Sequence, residues 1–266
     1  MVIHTCFRLS QCLRSAVLAL GFIVPSAAFA ELTNDTLLGP GVRLRPAYDG
    51  SASHRGEFVP VIRYLGEPWF VRSTQGVVEG GLRMELVPGL HVGAQLAYES
   101  GRKAGESAFL KNRNVADISR GASWGVHAEW DHKFGPVPIT VLARARQRTD
   151  TDLGAQFDLR LSAGIFQSGA VAAGVFAQST WANAKSTSTL YGVTQPQSVA
   201  TGLPQYGAGS GWLFGSAGLL WSVTLHPRWM VVGSMEVRRL QGDAAHSPLV
   251  ERSTNHYLSA GLAYRY

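Results

Sequence analysis

The chain has almost no cysteine. Cys6 and Cys12 are its only two, and both lie in the first few turns' worth of residues. Everything after Cys12 therefore lacks a disulfide, a thiolate metal site and a thiol nucleophile. Long apolar runs are missing too. A helix that spans a bilayer needs roughly 20 mostly apolar residues. The charge-free stretches 161–184 and 186–225 alternate and are diluted with Gly, Ser, Thr and Gln. Positive charge is in mild excess, +6 in all, but it is scattered, so no nucleic-acid footprint is expected. There is no glycine-rich phosphate loop, zinc spacing or calcium loop, so the expectation is no metal and no cofactor.

What is present begins with an address. "MVIHTCFRLSQCLR" carries Arg8 and Arg14 and no acid, "SAVLALGFIVPS" is a short apolar run, and "SAAFA" ends on small residues. This pattern predicts a secretory signal peptide over residues 1–30, cleaved near Ala30, with residues 31–266 forming one domain.

Beyond it the chain alternates with period two, the signature of strands with one apolar face. In "GASWGVHAEWDHKFG", Ala122, Trp124, Val126, Ala128, Trp130, His132 and Phe134 alternate with Ser123, Gly125, His127, Glu129, Asp131 and Lys133. "VPITVLARARQRT" answers it across the tight turn "FGPVP". The same reading predicts twelve strands, at 40–48, 57–65, 68–73, 77–86, 90–100, 121–134, 137–148, 153–166, 170–182, 212–225, 228–240 and 255–266, or ten if 40–73 forms fewer.

Connections alternate in length. "GEP", "VPG", "FGP", "QSG" and "HPR" are short, and 101–120, 183–211 and 241–254 are long. An even number of strands, short turns at one end and long loops at the other, is the plan of a single antiparallel transmembrane β-barrel with both termini on the periplasmic side. A soluble sandwich or lipocalin-like barrel fits less well, since strands in sandwiches run about 5–6 residues. Aromatics at predicted strand ends, Trp69, Phe70, Phe134, Trp212, Trp229, Tyr264 and Tyr266, read as interfacial girdles. The expected location is the outer membrane of a Gram-negative bacterium, with its lipid as the first partner.

The final segment, "YLSAGLAYRY", stops in mid-alternation. In a closed barrel the last strand pairs with the first, so its end is structural. Tyr264 and Tyr266 also match the terminal aromatic signal read by the barrel-assembly machinery.

The polar face fixes the barrel's inside. Arg at the bilayer midplane costs roughly 2–4 kcal/mol, so Glu129, Asp131, Arg144, Arg146, Arg148, Asp158, Arg160, Glu236 and Arg238 are expected to line the lumen. Glu79, Arg83 and Glu85 read likewise. An interior salt-bridge network is the favoured role, a solute channel the other. His127 beside Glu129, and His54, His246 and His256 with Asp49 and Asp243 near the outer loops, are weighed as acid–base sets. Nothing positions a nucleophile with them, so no catalytic residue and no enzymatic activity are expected.

The link "LYGVTQPQSVATGLPQYGAGSG" carries a resemblance to the MipA/OmpV family of outer-membrane proteins, whose loop tends to read Y-x-G-V-T-x-x-Q-S-x-x-S-G-L-P-x-Y. The matching positions are Tyr191, Gly192, Val193, Thr194, Gln197, Ser198, Gly202, Leu203, Pro204 and Tyr206. "VRLRPAYDGSASHRGEFVPVIRY" is similar to the family's first strand pair, and "LQGDAAHSPLVERSTNHYLSAGLAYRY" to its end. The resemblance implies a non-enzymatic scaffold that joins a murein lytic transglycosylase to a bifunctional penicillin-binding protein, through the periplasmic turns and the tail "ELTNDTLLGP". Porin-like channels and adhesins are the other roles it implies. It supplies no catalytic residues.

Overall fold

The structure is a computed structural model that describes residues 35–266. The predicted signal peptide lies outside the described residues.

Twelve antiparallel strands close into one barrel, each paired with its sequence neighbours and β1 with β12. They are β1 (Leu37–Pro46), β2 (His54–Leu65), β3 (Trp69–Thr74), β4 (Val77–Val87), β5 (Leu90–Glu99), β6 (Gly121–Phe134), β7 (Val137–Arg148), β8 (Ala155–Ser168), β9 (Val171–Ala182), β10 (Gly211–His226), β11 (Trp229–Leu240) and β12 (Thr254–Arg265). Short α-helices lie in the long loops, α1 (Ala108–Lys111), α2 (Ala184–Tyr191), α3 (Gln195–Thr201) and α4 (Gly242–His246), and a 3-10 turn, Thr151–Leu153, sits in the β7–β8 connection. No helix among the described residues is long and apolar enough to cross a membrane.

Strand content and spacing match the period-two reading, and the ten-strand alternative falls away because β1, β2 and β3 are separate strands. The ladder runs Leu37↔Arg265 to Leu44↔Leu258 at the closing seam. Tyr266 N donates to Thr36 O (3.1 Å), and the Arg265 guanidinium bonds Pro227 O and Asp35. The chain end is thus part of the wall.

The wall is inside out relative to a soluble barrel, with apolar side chains outward. Leu96, Trp124, Val126, Leu159, Met235 and Leu258 are exposed, while their strand neighbours Gln95, Ser123, Asp158 and Glu236 are buried. A backbone ladder closed on itself and an apolar outer band are what a bilayer demands. Outward aromatics cluster at the short-turn end, where Trp229, Tyr264 and Tyr266 make edge contacts and Trp130, His132 and Phe134 stack in series. Trp212 lies at the opposite, long-loop end.

Three expectations change. Phe70 is no girdle residue: it alternates with the outward Trp69, points into the lumen and is 1 % exposed. Leu37–Pro40 belongs to β1 and is not a tail. Glu85 sits exposed at the short-turn mouth, where it accepts the Gly89 amide (2.7 Å), outside the central network.

Candidate functional site: the charged lumen and its loop cap

The inward face of β3 to β8 carries long charged side chains, and the barrel brings them into one chain of ion pairs. Glu79 is 1 % exposed and central. It receives Arg72 Nε (2.6 Å), Arg144 Nη1 (2.5 Å) and Gln95 Nε2 (2.9 Å). Arg72 also binds Glu129. Arg144 continues to Asp158 (2.9 Å), which also takes Arg146 (2.9 Å) and the Thr180 hydroxyl (2.7 Å). Arg146 and Arg148 then share Glu99, at 2.9 and 3.4 Å. Buried charges are tolerated only when paired and hydrogen-bonded, and each acid here has at least one such partner.

Glu129, Asp131, Arg144, Arg146, Arg148, Asp158, Arg160, Glu236 and Arg238 lie on inward positions of their strands, but their partners differ from a simple hairpin pairing. Glu129 pairs with Arg72 of β3 and not with the arginines of β7. Asp131 accepts from Thr140 (2.6 Å) near the short-turn mouth. Arg160 lies over the Phe176 ring at 3.9 Å and bonds Ser162 and Gln178. Glu236 and Arg238 pair on β11 (2.9 Å), and Arg238 Nη1 reaches Asp49 (2.7 Å). Sequence reasoning missed Arg43, Arg45, Glu57, Arg72 and Glu99 as lumen residues. Their signal was visible for β1, where Arg43 and Arg45 alternate with Val42 and Leu44. Arg72 lies in β3, whose six residues give alternation little length to set a phase.

The weighed acid–base sets do not assemble. His127 packs edge-on against Phe70 (centroids 4.9 Å), and its Nδ1 has no hydrogen-bond partner. His246 Nδ1 bonds Gly242 O (2.8 Å), Asp243 accepts the Gly209 amide (2.7 Å), and His256 is exposed on β12. No cluster of three or more His, Cys, Asp or Glu suited to a metal occurs among the described residues.

The long loops cover the lumen. Tyr48, Leu110, Val115, Val193 and Leu249, from four loops, bury one another above the barrel. The 183–210 loop is an ordered cap. Asn183 caps α2, and Thr194 with Gln197 forms a capping box on α3. Gly202 ends α3 in the left-handed region (φ 70°), which favours glycine. Val193 and Tyr206 bridge backbone to backbone, Ser198 Oγ donates to Leu203 O, and Tyr206 OH donates to Asp243 O. Tyr191 is buried, and its carbonyl accepts from Ser247 Oγ (2.5 Å). Gly192 is needed for a close approach, since a Cβ there would lie 2.5 Å from Ser188 O. Pro204 lies in the turn between α3 and that bridge.

Beneath the cap lies a chamber of about 240 Å³. Arg43, Arg45, Arg102, Arg144, Arg146, Arg148 and Arg238 line it, against Asp49, Glu99 and Asp158. Its chemistry is that of an anion-attracting vestibule. Burial opposes the charge on Asp49, but Arg238 and the Tyr257 hydroxyl overcome it and hold that carboxyl below its usual range. Burial, with Glu251 close by, pushes the Tyr48 phenol up, and burial does the same for Tyr191.

A closed wall with an apolar exterior, an ion-paired interior and loops gathered at one end defines an outer-membrane β-barrel. A family model described as "MltA-interacting protein MipA" matches residues 38–266, and the chain belongs to that family. Among solved structures, the COG4313 outer membrane channel from Pseudomonas putida F1 is similar, with a TM-score of 0.50 at 9% identity, over 91% of this chain and 100% of that one. LpxR from Salmonella typhimurium has a TM-score of 0.47 at 7% identity, over 86% and 100%. These likenesses concern the fold. A search of curated proteins finds no match.

Proposed function

We propose that this protein is a non-enzymatic outer-membrane scaffold that holds a murein lytic transglycosylase at the membrane and, through it, a bifunctional murein synthase. Membership of a family described by its interaction with MltA, across 38–266, carries this reading. The lumen supports it, because the acids that a hydrolase would need are engaged by arginines. In this reading residues 1–30 are a removed leader, and both termini and the short turns face the periplasm. The partner surface is then the ring of turns at 66–68, 88–89, 135–136, 169–170 and 227–228.

Crosslinking in intact envelopes, followed by capture of the tagged protein, tests the proposal. Recovery of both a lytic transglycosylase and a murein synthase, absent from a control barrel, is the expected result. Recovery of neither ends the scaffold reading.

A second reading, a narrow channel for small anions, is favoured by the arginine-lined chamber. Planar-bilayer recordings decide it. A pore would show steady anion-selective conductance, altered by Arg146→Glu or Arg148→Glu. A silent bilayer leaves the chamber as packing.

A further inference from the structure

One stretch of wall is incomplete. β1 and β2 pair at ten positions, from Leu37↔Arg63 to Pro46↔His54. On its other edge β2 pairs with β3 only at Arg63, Tyr64 and Leu65. Ser73 ends that ladder: Ile62 N donates to its Oγ (3.0 Å), which lies 3.4 Å from Ile62 O. From Val61 up to His54, β2 has no strand partner on this side. At ~3.3 Å per residue that is roughly 25 Å of open edge along the strand.

The cause is the short β3–β4 hairpin. Its tip, Gln75-Gly76, has φ of 51° and 80°, a tight turn with two left-handed residues. The tip leans into the lumen. Gln75 Nε2 donates to Glu236 on β11 (3.1 Å), and a Cβ on Gly76 would lie 2.3 Å from Arg43 Nη1. The gap is bounded above by an ion pair between Arg55 of β2 and Glu106 of the 100–120 loop. Phe58, outward on the open edge, is 90 % exposed.

Backbone left without a ladder partner at hydrocarbon depth is tolerated only where it lines a cavity. Here a cavity of about 180 Å³ runs from both edges of the gap into the barrel. Its lining joins Val59, Val61 and Ile62 of β2 and Val78 of β4 to Arg43 and Tyr257 deeper in. Apolar side chains thus stand at the wall, and the ionisable side chains inside are mostly arginines, with Glu236 the single carboxylate. The volume is below the roughly 300–1,000 Å³ of pockets that enclose drug-sized ligands, so the cavity has room for the head-group end of a single chain, the rest lying outside along the wall.

We infer that this window is a lateral binding site for a single-chain amphiphile with an anionic head group. The chain lies across the open edge of β2 from the surrounding leaflet, and the head group turns inward to Arg43. The site is independent of the scaffold reading.

The test uses the full protein in phosphatidylcholine nanodiscs and a fatty acid carrying a photoreactive diazirine in its chain. The expected result is saturable labelling above empty-nanodisc controls, with adducts concentrated in residues 58–62 and 73–78. Val61→Trp, which fills the cavity, should lower labelling at least tenfold. Arg43→Gln should weaken binding of the fatty acid several-fold and leave that of the matching fatty alcohol unchanged. Lys185→Ala, on the loop cap, should behave as wild type. Adducts spread evenly around the outer band, or the absence of saturation in the wild-type protein, overturn the inference without recourse to any variant. Undiminished labelling in a folded Val61→Trp protein overturns it as well.

Discussion

The two arcs of the barrel are built by different means. From β3 to β8 the inward positions hold Phe70, Arg72, Glu79, Gln95, Glu129, Arg144 and Asp158, and the space between them is filled by ion pairs. From β10 through β12 to β1 six inward positions are small, Ser222, Ser234, Ser259, Gly261, Gly41 and Gly39, and the buried side chains beside them at the short-turn end, Leu37, Met230 and Ala263, are apolar and unpaired by charge. There the polar contact is a Ser234–Ser259 hydroxyl pair (2.8 Å), and the cavity remains open beside it. The contrast teaches how one wall pattern yields two interiors. Alternation decides only that a side chain points inward; its length decides whether it meets a partner across the lumen.

The largest effect should come from breaking the filled arc at its centre. Glu79→Ala leaves Arg72 and Arg144 short of an acid, and removing one member of a buried ion pair costs about 3–5 kcal/mol. Urea unfolding of the barrel in vesicles, followed by its heat-modifiable gel mobility, should show an unfolding free energy lowered by that amount and a correspondingly lower midpoint. A matched pair sharpens the comparison. Ser162→Leu, in the packed arc beside Arg160, should cost ~1–3 kcal/mol by overpacking, whereas Ser222→Leu, facing the open cavity, should cost less than half as much in the same assay. Equal costs would show that the two arcs do not differ in packing.

A pH effect should appear in the cap. The Asp49 carboxyl is held below its usual range, so its contribution is complete above an unfolded pKa of about 3.9 and is lost as pH falls through the lower folded value. The hydrogen-exchange protection factor of residues 47–53, taken against the intrinsic rate at each pH, should be high at pH 6 and lower near pH 3, and Arg238→Gln should lower it at both. The smallest effect is expected on the exposed rim. Lys185 and Asp152 approach to 3.4 Å but are 60 % and 89 % exposed, so Lys185→Ala should shift stability by less than ~0.5 kcal/mol.

Much of this was legible in order. β6 and β7 were read at their observed limits, because "SWGVHAEW" and "ITVLARAR" alternate without interruption. Phe70 was misread because a six-residue strand gives alternation little length in which to declare its phase. The 183–211 link is legible as a long connection and as the carrier of the family resemblance. That Tyr191 and Val193 would be buried in a cap needed the other loops in place.

The sequence by itself determined which residues are strands and which face each presents, since both follow from a local period of two and from the cost of charge in lipid. The tertiary structure decided what no local rule could. Barrel closure and register bring Arg72 to Glu129 and Asp49 to Arg238, residues far apart in the chain. The same register leaves the upper edge of β2 without a neighbour, because a hairpin's length relative to the wall is a property of the whole ring and not of the hairpin.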